Sequence, residues 1–418
     1  MTNRIIILMI ISVLLIIIDL YIYKAINSVF PKWTTKKRKT FRNIFWGYSF
    51  LIIGSVFISI FFNIRLAARA VILVAFFLTF VSKFCFLFFL VADDIRRGLI
   101  WIKRKWFGTG QGSEVPSVKQ NVIPRSEFLV KAGTIVAAIP LASLTYGIAS
   151  GAYDYRVIKR RLVLPNLPSA FEGLTLAQIS DIHSGSFYNR KAVLGGVELL
   201  LAQKPDMIFF TGDLVNNLAS ELKDYQDIFA KLNAPLGVFS VLGNHDYGDY
   251  HFGKEPSAAK TQNLKDIKLT HKNMGWDLLL NENRTVKVDG QEIAIVGIEN
   301  WGAGRFVRHG RLDLAVKNID DIPVKLLLSH DPSHWRAQVL KEYPQIDAMF
   351  SGHTHGMQFG VRLEELQWSP VQYIYPEWAG LYQEKHQQLY VNVGYGFLGY
   401  PGRVGIQPEI TIFELSRS

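Results

Sequence analysis

Five short segments of the sequence combine an apolar run with acidic, amide or imidazole side chains that follow it immediately. Carboxylates and imidazoles grouped in this way can bind metal ions or transfer protons. In open α/β sheets, ligands bind beyond the carboxyl ends of the strands, which is where these groups are predicted to lie. In chain order, the segments are Ile179–His183, Phe210–Asp213, Leu242–Asp246, Leu328–Asp331 and Phe350–Gly356.

The histidines are concentrated in these segments. Five of the ten lie inside them, namely His183, His245, His330, His353 and His355. Residues two apart in an extended backbone, such as Asp181 and His183, point the same way. Glycines at Gly212, Gly243 and Gly352 allow sharp turns and close approach. The other histidines are predicted to be ordinary surface or loop residues: His251, His271, His309, His334 and His386.

The segments lie within a pattern of short β-like runs that alternate with helical stretches. This alternation predicts a layered fold of the α/β class with buried central strands. The predicted strands are Leu174–Ser180, Met207–Thr211, Val238–Leu242, Ile293–Ile298, Val324–Ser329, Ala348–Ser351, Leu389–Val393 and Glu409–Leu415. The predicted helices are Arg190–Gln203, Glu221–Leu232, Ala258–Asn273 and Ser333–Glu342.

The order of the motifs resembles the calcineurin-like metallophosphoesterase superfamily. The series is Asp-x-His, Gly-Asp, Gly-Asn-His-Asp, His and Gly-His-x-His, and the resemblance covers roughly residues 170–418. The ending from Gly394 through Arg403 to Ile410 is similar to the membrane-associated bacterial branch. Some members of that branch hydrolyse the pyrophosphate of a nucleotide-linked acylated sugar. Met357 departs from the branch, which usually has glycine there, and this affects substrate shape rather than metal binding.

The resemblance implies a layered β-sandwich flanked by helices, and a site for two divalent transition-metal ions. In this series Asp181, His183 and His355 would hold the first ion, Asn244, His330 and His353 the second, and Asp213 would bridge both. Carboxylate, amide and imidazole donors without thiolate suit Mn²⁺, Fe or Zn²⁺, of which we favour Mn²⁺. Two such ions lower the pKa of a shared water, and the hydroxide attacks phosphorus. His245 is the candidate to protonate the leaving group.

Charge separates two parts of the chain. Residues 1–150 carry 19 Lys and Arg against 5 Asp and Glu, a formal charge of +14. Residues 151–418 carry 27 against 30, a charge of −3, so no nucleic-acid partner is expected despite the whole-chain charge of +11. The single cysteine, Cys85, excludes an intrachain disulfide and a thiolate metal cluster.

Residues 1–150 contain four apolar runs that each match the roughly 30 Å of a hydrocarbon core. They are Ile5–Tyr23, Ile44–Phe62, Ala70–Ala92 and Phe128–Ala149. Basic residues crowd the first and third connections, so the positive-inside rule predicts a C-terminal domain outside the cytoplasm. The last run also resembles a twin-arginine export signal that lacks one arginine, so its role as signal or anchor stays open.

Two further features of the sequence carry charges with open roles. Asp19 and Lys83 lie within the apolar runs, and an ion pair between the first and third helices is the favoured interpretation over a functional one. The segment Trp301–Arg311 mixes aromatic residues with three arginines. It is compatible with a phosphate-facing loop or with a solvated basic loop. The arginines are Arg305, Arg308 and Arg311.

The sequence thus predicts a membrane domain at 1–150 and a metallophosphoesterase domain at 151–418. The expected function is hydrolysis of a phosphodiester or pyrophosphate bond in a phosphorylated substrate at the lipid bilayer, with lipid-linked and nucleotide-sugar-lipid molecules as the candidate substrates. The alternatives are a nuclease or a broad-specificity phosphomonoesterase of the same superfamily, or a non-catalytic membrane module. The complete set of ligand types argues against the last. Natural substrate, metal identity and oligomeric state stay open.

Overall fold

The computed structural model describes residues 2–62, 66–107, 125–304, 306–363 and 366–418. The chain divides into two compact units, Met1–Thr145 and Tyr146–Ser418. The described part of the first unit is helical, whereas the second combines strands with shorter helices.

Long apolar helices form the described part of the first unit. They are α1 (Thr2–Val29), α2 (Thr35–Phe61), α3 (Leu66–Phe107) and α4 (Glu127–Ala149), of which the last continues into the second unit. Each is long and apolar enough to cross a membrane. The prediction of four transmembrane helices is therefore confirmed within the described ranges. The connection between α3 and α4, Gly108–Pro124, lies outside the described residues.

Helix α3 extends well beyond the apolar run predicted at Ala70–Ala92. Its 42 residues span about 63 Å at the usual rise. Beyond the apolar run, Asp93 pairs with Arg96 at 2.9 Å and Asp94 pairs with Arg97 at 3.0 Å. Pairs three residues apart satisfy these charges on the helix surface, so the helix continues where the hydropathy changes.

An ion pair joins two of the apolar helices. Lys83 Nζ of α3 lies 2.7 Å from Asp19 Oδ1 of α1, and Asp19 is fully buried. Lys83 Nζ also donates to Ser49 Oγ of α2 at 3.4 Å. Because charged groups in apolar surroundings need a partner, this contact favours the structural interpretation of the two residues.

Strands form two sheets in the second unit. The strands are β1 (Arg156–Val163), β2 (Thr175–Ile179), β3 (Met207–Phe210), β4 (Val238–Ser240), β5 (Asp277–Leu278), β6 (Glu282–Val288), β7 (Gln291–Gly297), β8 (Lys325–Leu328), β9 (Ala348–Ser351), β10 (Val361–Arg362), β11 (Gln367–Trp368), β12 (Gly380–Glu384), β13 (Gln387–Val391) and β14 (Glu409–Ser416). Among the described residues, the first sheet has the order β1-β14-β2-β3-β4-β5 and the second the order β12-β13-β9-β8-β7-β6. A hairpin of β10 and β11 stands apart from both.

Parallel pairing brings strand ends to common edges. In the first sheet, β2, β3 and β4 run parallel to one another. In the second, β7, β8, β9 and β13 run parallel. The loops that leave the carboxyl ends of neighbouring parallel strands therefore emerge side by side, as the sequence pattern predicts.

The two sheets pack face to face with helices outside. Phe209, Leu328 and Phe350 belong to the apolar layer between the sheets. Additional apolar clusters cover the outer faces, with Val197 against the first sheet and Leu312 against the second. The helices of this unit are α5 (Arg190–Leu201), α6 (Gln226–Phe229), α7 (Asp249–Phe252), α8 (Ala258–Asn273), α9 (Leu312–Ala315) and α10 (Leu340–Glu342). The predicted sandwich flanked by helices is confirmed.

The eight predicted strands are all present, whereas other elements were missed or misjudged. Strand β1 has the sequence Arg-Val-Ile-Lys-Arg-Arg-Leu-Val. Its exposed basic residues interrupt the apolar run that would otherwise indicate a strand. Strand β6 is similarly polar, since it lies at the edge of its sheet. The helix predicted at Glu221–Leu232 is broken into a 3-10 turn at Ala219–Leu222 and the short α6.

The prediction that His271 and His334 are surface or loop residues was wrong. Both are fully buried. His271 Nδ1 lies 3.0 Å from Ser240 Oγ, and His334 Nδ1 lies 2.9 Å from Ser329 Oγ. A polar partner from a neighbouring strand or loop allows each imidazole to enter the interior, and no local sequence signal reports such a partner.

The burial of His271 predicts a loss of stability in acid. Burial lowers the pKa of His271 to about 3, from a usual value of about 6.5. Below about pH 6.5 the unfolded chain binds a proton at this histidine, whereas the folded protein does not. The contribution of His271 to stability is therefore fully present above that pH and is lost as the pH falls. We expect the residue to account for about 2 kcal/mol of the decrease in unfolding free energy between about pH 7 and pH 5.

Hydrogen exchange of peptides from β3 and β4, measured on the full chain in detergent, tests this expectation. His271→Gln should flatten the pH dependence of the opening free energy. The exposed His251→Gln serves as the matched control and should leave it as in the unmodified chain. An unchanged slope in His271→Gln would contradict the assignment.

Candidate metal centre

The loops that leave the parallel strands are joined to one another by hydrogen bonds. The amide of Asp181, after β2, donates to the carbonyl of Gly212 after β3 at 2.9 Å. The amide of Gly352, after β9, donates to the carbonyl of His330 after β8 at 3.0 Å. The amide of His353 then donates to the Asp181 carboxylate at 3.0 Å, which links the loops of the two sheets.

One group of donors consists of Asp181, His183 and His355. Their ligand atoms lie within 4.8 Å of one another, and all three side chains are buried. His355 Nε2 lies 3.3 Å from Asp181 Oδ1, and His183 Nε2 lies 4.0 Å from the same oxygen. Two imidazole nitrogens and a carboxylate oxygen therefore converge on one point.

A second group consists of Asp213, His330 and His353, again with ligand atoms within 4.8 Å of one another. His330 Nε2 lies 3.1 Å from Asp213 Oδ2, and His353 Nδ1 lies 3.2 Å from His330 Nε2. Asp213 Oδ2 also lies 3.5 Å from His183 Nε2 of the first group. One carboxylate oxygen thus faces both groups.

Asn244 and His245 complete the set after β4. The buried Asn244 Oδ1 has no hydrogen-bond partner among the described residues. The His245 amide donates to Asp213 Oδ1 at 2.8 Å, and its ring stands edge-on to His183 with centroids 4.9 Å apart. All eight residues predicted from the sequence therefore lie in one region. Their roles as ligands and as acid stay predictions.

The backbone at this site adopts an uncommon conformation. Five of the predicted ligands have positive φ: Asp181 at 51°, His183 at 47°, Asp213 at 60°, His353 at 73° and His355 at 52°. Such values are rare outside glycine, and they cluster at functional sites, where the surrounding fold compensates for the strain. The strained conformation turns successive side chains inward.

Glycine at 352 is required by close packing beside these residues. A Cβ atom there would lie 2.0 Å from Ser180 Oγ and 2.1 Å from Asp181 Oδ2. The sequence predicts close approach of the backbone at this glycine. The structure shows that the close neighbours are the side chains that form the site.

Electrostatics at the centre reflect burial and the proximity of opposite charges. Burial alone would lower the pKa of His330, but the Asp213 carboxylate raises it to about 10. Burial alone would raise the pKa of Asp213, but the neighbouring His330 and His245 hold it well below its usual range. Burial lowers the pKa of His183 to about 3 and raises that of Asp181 to about 6.

The donor set fits divalent cations. Several buried polar atoms lack a hydrogen-bond partner among the described residues: both ring nitrogens of His183, Asn244 Oδ1, Asp331 Oδ2 and His355 Nε2. Buried polar groups in native proteins are normally satisfied, so a cluster of unsatisfied oxygen and nitrogen atoms fits a cation-binding site. Imidazole, carboxylate and amide donors match the preferences of Mn²⁺, Fe and Zn²⁺.

Comparison with known proteins agrees with this chemistry. Residues 3–152 match the family described as "Probable Calcineurin-like phosphoesterase, transmembrane domain", and residues 174–357 match "Calcineurin-like phosphoesterase". The chain is 30 % identical over 254 residues to "Uncharacterized metallophosphoesterase YkuE" of Bacillus subtilis, covering 60 % of this chain and 81 % of that protein. The chain belongs to the calcineurin-like phosphoesterase family.

Two other relatives match similar lengths of this chain. "Transmembrane protein with metallophosphoesterase domain" of Danio rerio is 28 % identical over 295 residues, which cover 68 % of this chain and 63 % of that protein. "Phosphodiesterase YaeI" of Escherichia coli is 27 % identical over 241 residues, which cover 57 % of this chain and 80 % of that protein. The chain thus spans slightly less than two thirds of the zebrafish protein. This chain is a multi-pass membrane protein of the calcineurin-like phosphoesterase family.

Asp246 organises the loops of this phosphoesterase site. Its carboxylate accepts hydrogen bonds from the backbone amides of Gly243 at 2.8 Å, Asp213 at 3.0 Å and Leu214 at 2.9 Å. These contacts fix the backbone on which two predicted ligands stand. His245 is oriented differently, since its Nδ1–H donates to the carbonyl oxygen of Asn216 at 2.7 Å.

Several positioning groups were not predicted from the sequence. The carbonyl of Thr211 accepts from His330 Nδ1–H at 2.8 Å, which turns Nε2 toward the site. The Tyr375 hydroxyl lies 2.8 Å from His353 Nε2, which leaves Nδ1 facing His330. No sequence pattern links Tyr375 to a histidine 22 residues away.

Arg403 is a second positioning residue that the motifs did not reveal. Its guanidinium is buried, and it donates to the carbonyls of Val393 at 2.8 Å and Gly396 at 2.6 Å. The same group lies 3.3 Å from His355 Nδ1. A buried guanidinium thus holds the loop after β13 against the first donor group.

The arginines of Trp301–Arg311 have local partners where the structure describes them. Arg308 lies over the Trp301 ring at 4.4 Å and donates to the Gly302 carbonyl at 3.0 Å. Arg311 forms an ion pair with Asp313 at 2.6 Å. These contacts favour a structural role for both, whereas Arg305 lies outside the described residues.

Proposed function

We propose that this protein is a membrane-anchored phosphoesterase that hydrolyses a phosphodiester or pyrophosphate bond at a centre of two divalent metal ions. The observation that carries the proposal is the position of Asp213 Oδ2, which lies 3.1 Å from His330 Nε2 and 3.5 Å from His183 Nε2. A carboxylate shared by two donor groups is the arrangement that a two-metal site requires.

The proposed ligands divide into two sets around Asp213. Asp181, His183 and His355 hold one ion, and Asn244, His330 and His353 hold the other. The nitrogen-rich donor set favours Mn²⁺, Fe or Zn²⁺ over Ca²⁺ and Mg²⁺, and we propose Mn²⁺ as the first ion to test. Bound there, such ions neutralise phosphoryl oxygens and lower the pKa of water.

His245 is proposed to protonate the leaving group. The Asn216 carbonyl fixes its Nδ1–H at 2.7 Å, so Nε2 is free to carry or release the proton in transfer. The amide of His245 donates to Asp213 Oδ1 at 2.8 Å, which couples the position of the acid to the bridging carboxylate. The fixed backbone keeps the proton donor beside the reacting phosphorus.

A hollow beside the centre supports a diester rather than a monoester substrate. It has a volume of about 220 Å³ and is lined by Asn244, Tyr250, Phe306 and His309, among others. Tyr250 stacks on His245 with centroids 4.6 Å apart, and Phe306 stands edge-on to His353 at 5.3 Å. A second ester substituent on phosphorus would occupy this aromatic hollow. The four candidate spans support a lipid-linked substituent.

The substrate preference is tested with the purified full chain in detergent, loaded with Mn²⁺. Bis(p-nitrophenyl) phosphate should be hydrolysed with a kcat/KM at least about tenfold above that of p-nitrophenyl phosphate. Phe306→Ala should reduce this ratio by weakening the binding of the second ester group. If neither ester is hydrolysed, the proposed function is contradicted. A preference for the monoester would favour the phosphomonoesterase alternative.

We also propose that the phosphoesterase unit lies outside the cytoplasm. The proposal follows from the basic residues in the first and third connections of the apolar helices. A periplasmic-type reporter such as alkaline phosphatase, fused after Ser418, should be active, and a cytoplasmic fluorescent reporter should be dark. The opposite pattern would place the unit in the cytoplasm.

A further inference from the structure

The β10–β11 hairpin follows the metal centre in the chain and exposes an apolar face. Val361 pairs with Trp368, and the Leu363 amide donates to the Leu366 carbonyl at 2.9 Å. Paired residues in an antiparallel hairpin lie on the same face, and so do residues two apart. These four side chains therefore share one face, and they are between 38 % and 63 % exposed.

The opposite face anchors the hairpin to the sandwich. Arg362 forms an ion pair with the buried Glu409 of β14. The Tyr390 hydroxyl donates to the other Glu409 oxygen at 2.6 Å. A two-stranded hairpin is marginally stable by itself, so this buried anchor fixes the direction in which the apolar face points.

Hydrogen bonds connect the base of the hairpin to the point where the last span ends. The amide of Gly360 donates to the carbonyl of Val404 at 3.0 Å, and the amide of Arg403 donates to the carbonyl of Gly147 at 3.2 Å. Gly147 belongs to α4, which lies within the candidate span Glu127–Tyr153. The base of the hairpin is thus linked, through Arg403 and Val404, to the last residues of this candidate span.

Basic residues flank the apolar face. Arg156, Lys159 and Arg160 line a hollow of about 670 Å³ together with Arg362 and Leu363. Lysine and arginine near a membrane surface attract anionic lipid headgroups. Tryptophan, here Trp368, is enriched where protein crosses from apolar lipid to water.

We propose that the apolar face of the β10–β11 hairpin docks into the interfacial layer of the bilayer, with the basic hollow over the lipid headgroups. Exposed apolar faces of this kind mark interaction surfaces. The occupant is a lipid surface rather than a second protein copy, because the base of the hairpin is linked to a candidate membrane span and the face is bordered by cations. Glu364 and Glu365, which connect the strands, lie outside the described residues.

Depth-resolved fluorescence tests the proposal in the full chain. Cys85 is the single cysteine, so Cys85→Ser provides a background for Leu363→Cys and, separately, Leu269→Cys. Leu269 of α8 is a matched control, since it is 52 % exposed compared with 63 % for Leu363. Each variant is labelled with an environment-sensitive dye and reconstituted into nanodiscs of zwitterionic and anionic phospholipid.

Nitroxide-bearing lipids should quench the dye at 363 several-fold more than the dye at 269, and aqueous iodide should show the reverse order. Equal quenching by iodide at both sites would show an exposed face and overturn the proposal. Protection of the dye at 363 from both quenchers would show burial against protein, such as a second copy, and would also overturn it. The readout does not depend on catalytic activity.

Discussion

Replacement of Asp213 by Asn is expected to reduce kcat for bis(p-nitrophenyl) phosphate by at least about 1,000-fold. The substitution keeps the shape of the side chain but removes the negative charge that faces His183 at 3.5 Å and His330 at 3.1 Å. An amide nitrogen placed there would repel cations from both donor groups. The expected result is therefore loss of bound metal together with loss of turnover.

Two measurements separate this effect from misfolding. Bound manganese is counted by plasma mass spectrometry, and circular dichroism reports the fold. The matched control is Asp227→Asn, which removes an exposed carboxylate paired with Arg190 and should leave turnover unchanged. Retention of more than about a tenth of the kcat in Asp213→Asn would show that this carboxylate does not serve both groups.

Replacement of His353 by Ala should lower kcat by about 100- to 1,000-fold. Replacement of Tyr375, the hydrogen-bond partner of His353, should lower kcat less. His353 Nδ1 lies 3.2 Å from His330 Nε2, whereas Nε2 is held by Tyr375 at 2.8 Å. Tyr375→Phe keeps the histidine and removes only the group that orients it. We expect a loss of about 10-fold in Tyr375→Phe, because outer groups tune a ligand rather than supply it.

The metal dependence of rate distinguishes the two variants. In Tyr375→Phe, a higher Mn²⁺ concentration should recover most of the activity, because the ligand is present but poorly oriented. In His353→Ala, saturating Mn²⁺ should leave most of the defect. Equal residual rates in the two variants at saturating metal would contradict the assignment of His353 as a metal ligand and of Tyr375 as the residue that orients it.

The positions of the strands that carry the site could be predicted from the sequence. Strands β2, β3, β8 and β9 are buried apart from Thr175 at the start of β2, they are mainly apolar, and a polar ligand motif follows each one. The period of the pattern and the abrupt change of polarity define such strands without tertiary information. Helix α8 has the predicted bounds, and the structure shows that Ser257 caps its N-terminus by accepting a hydrogen bond from the Lys260 amide.

Groups that position the ligands could not be predicted, because they act across long sequence separations. Thr211 contributes a carbonyl, which any residue type could supply, to a histidine 119 residues away. Arg403 lies against His355, which is 48 residues away in the chain, and the backbone carbonyls that hold its guanidinium are brought together by folding alone. Edge strands such as β6 were not predicted, because they are exposed on one side and their composition is therefore polar.

Metal stoichiometry combined with electron paramagnetic resonance tests the proposed dinuclear centre most directly. The metal-free full chain is titrated with Mn²⁺ in detergent, and the spectrum is recorded at saturation. We predict two bound ions per chain and a spin-coupled spectrum that is lost in Asp213→Asn. Saturation at one ion per chain, or two ions with uncoupled spectra, would contradict a carboxylate-bridged pair.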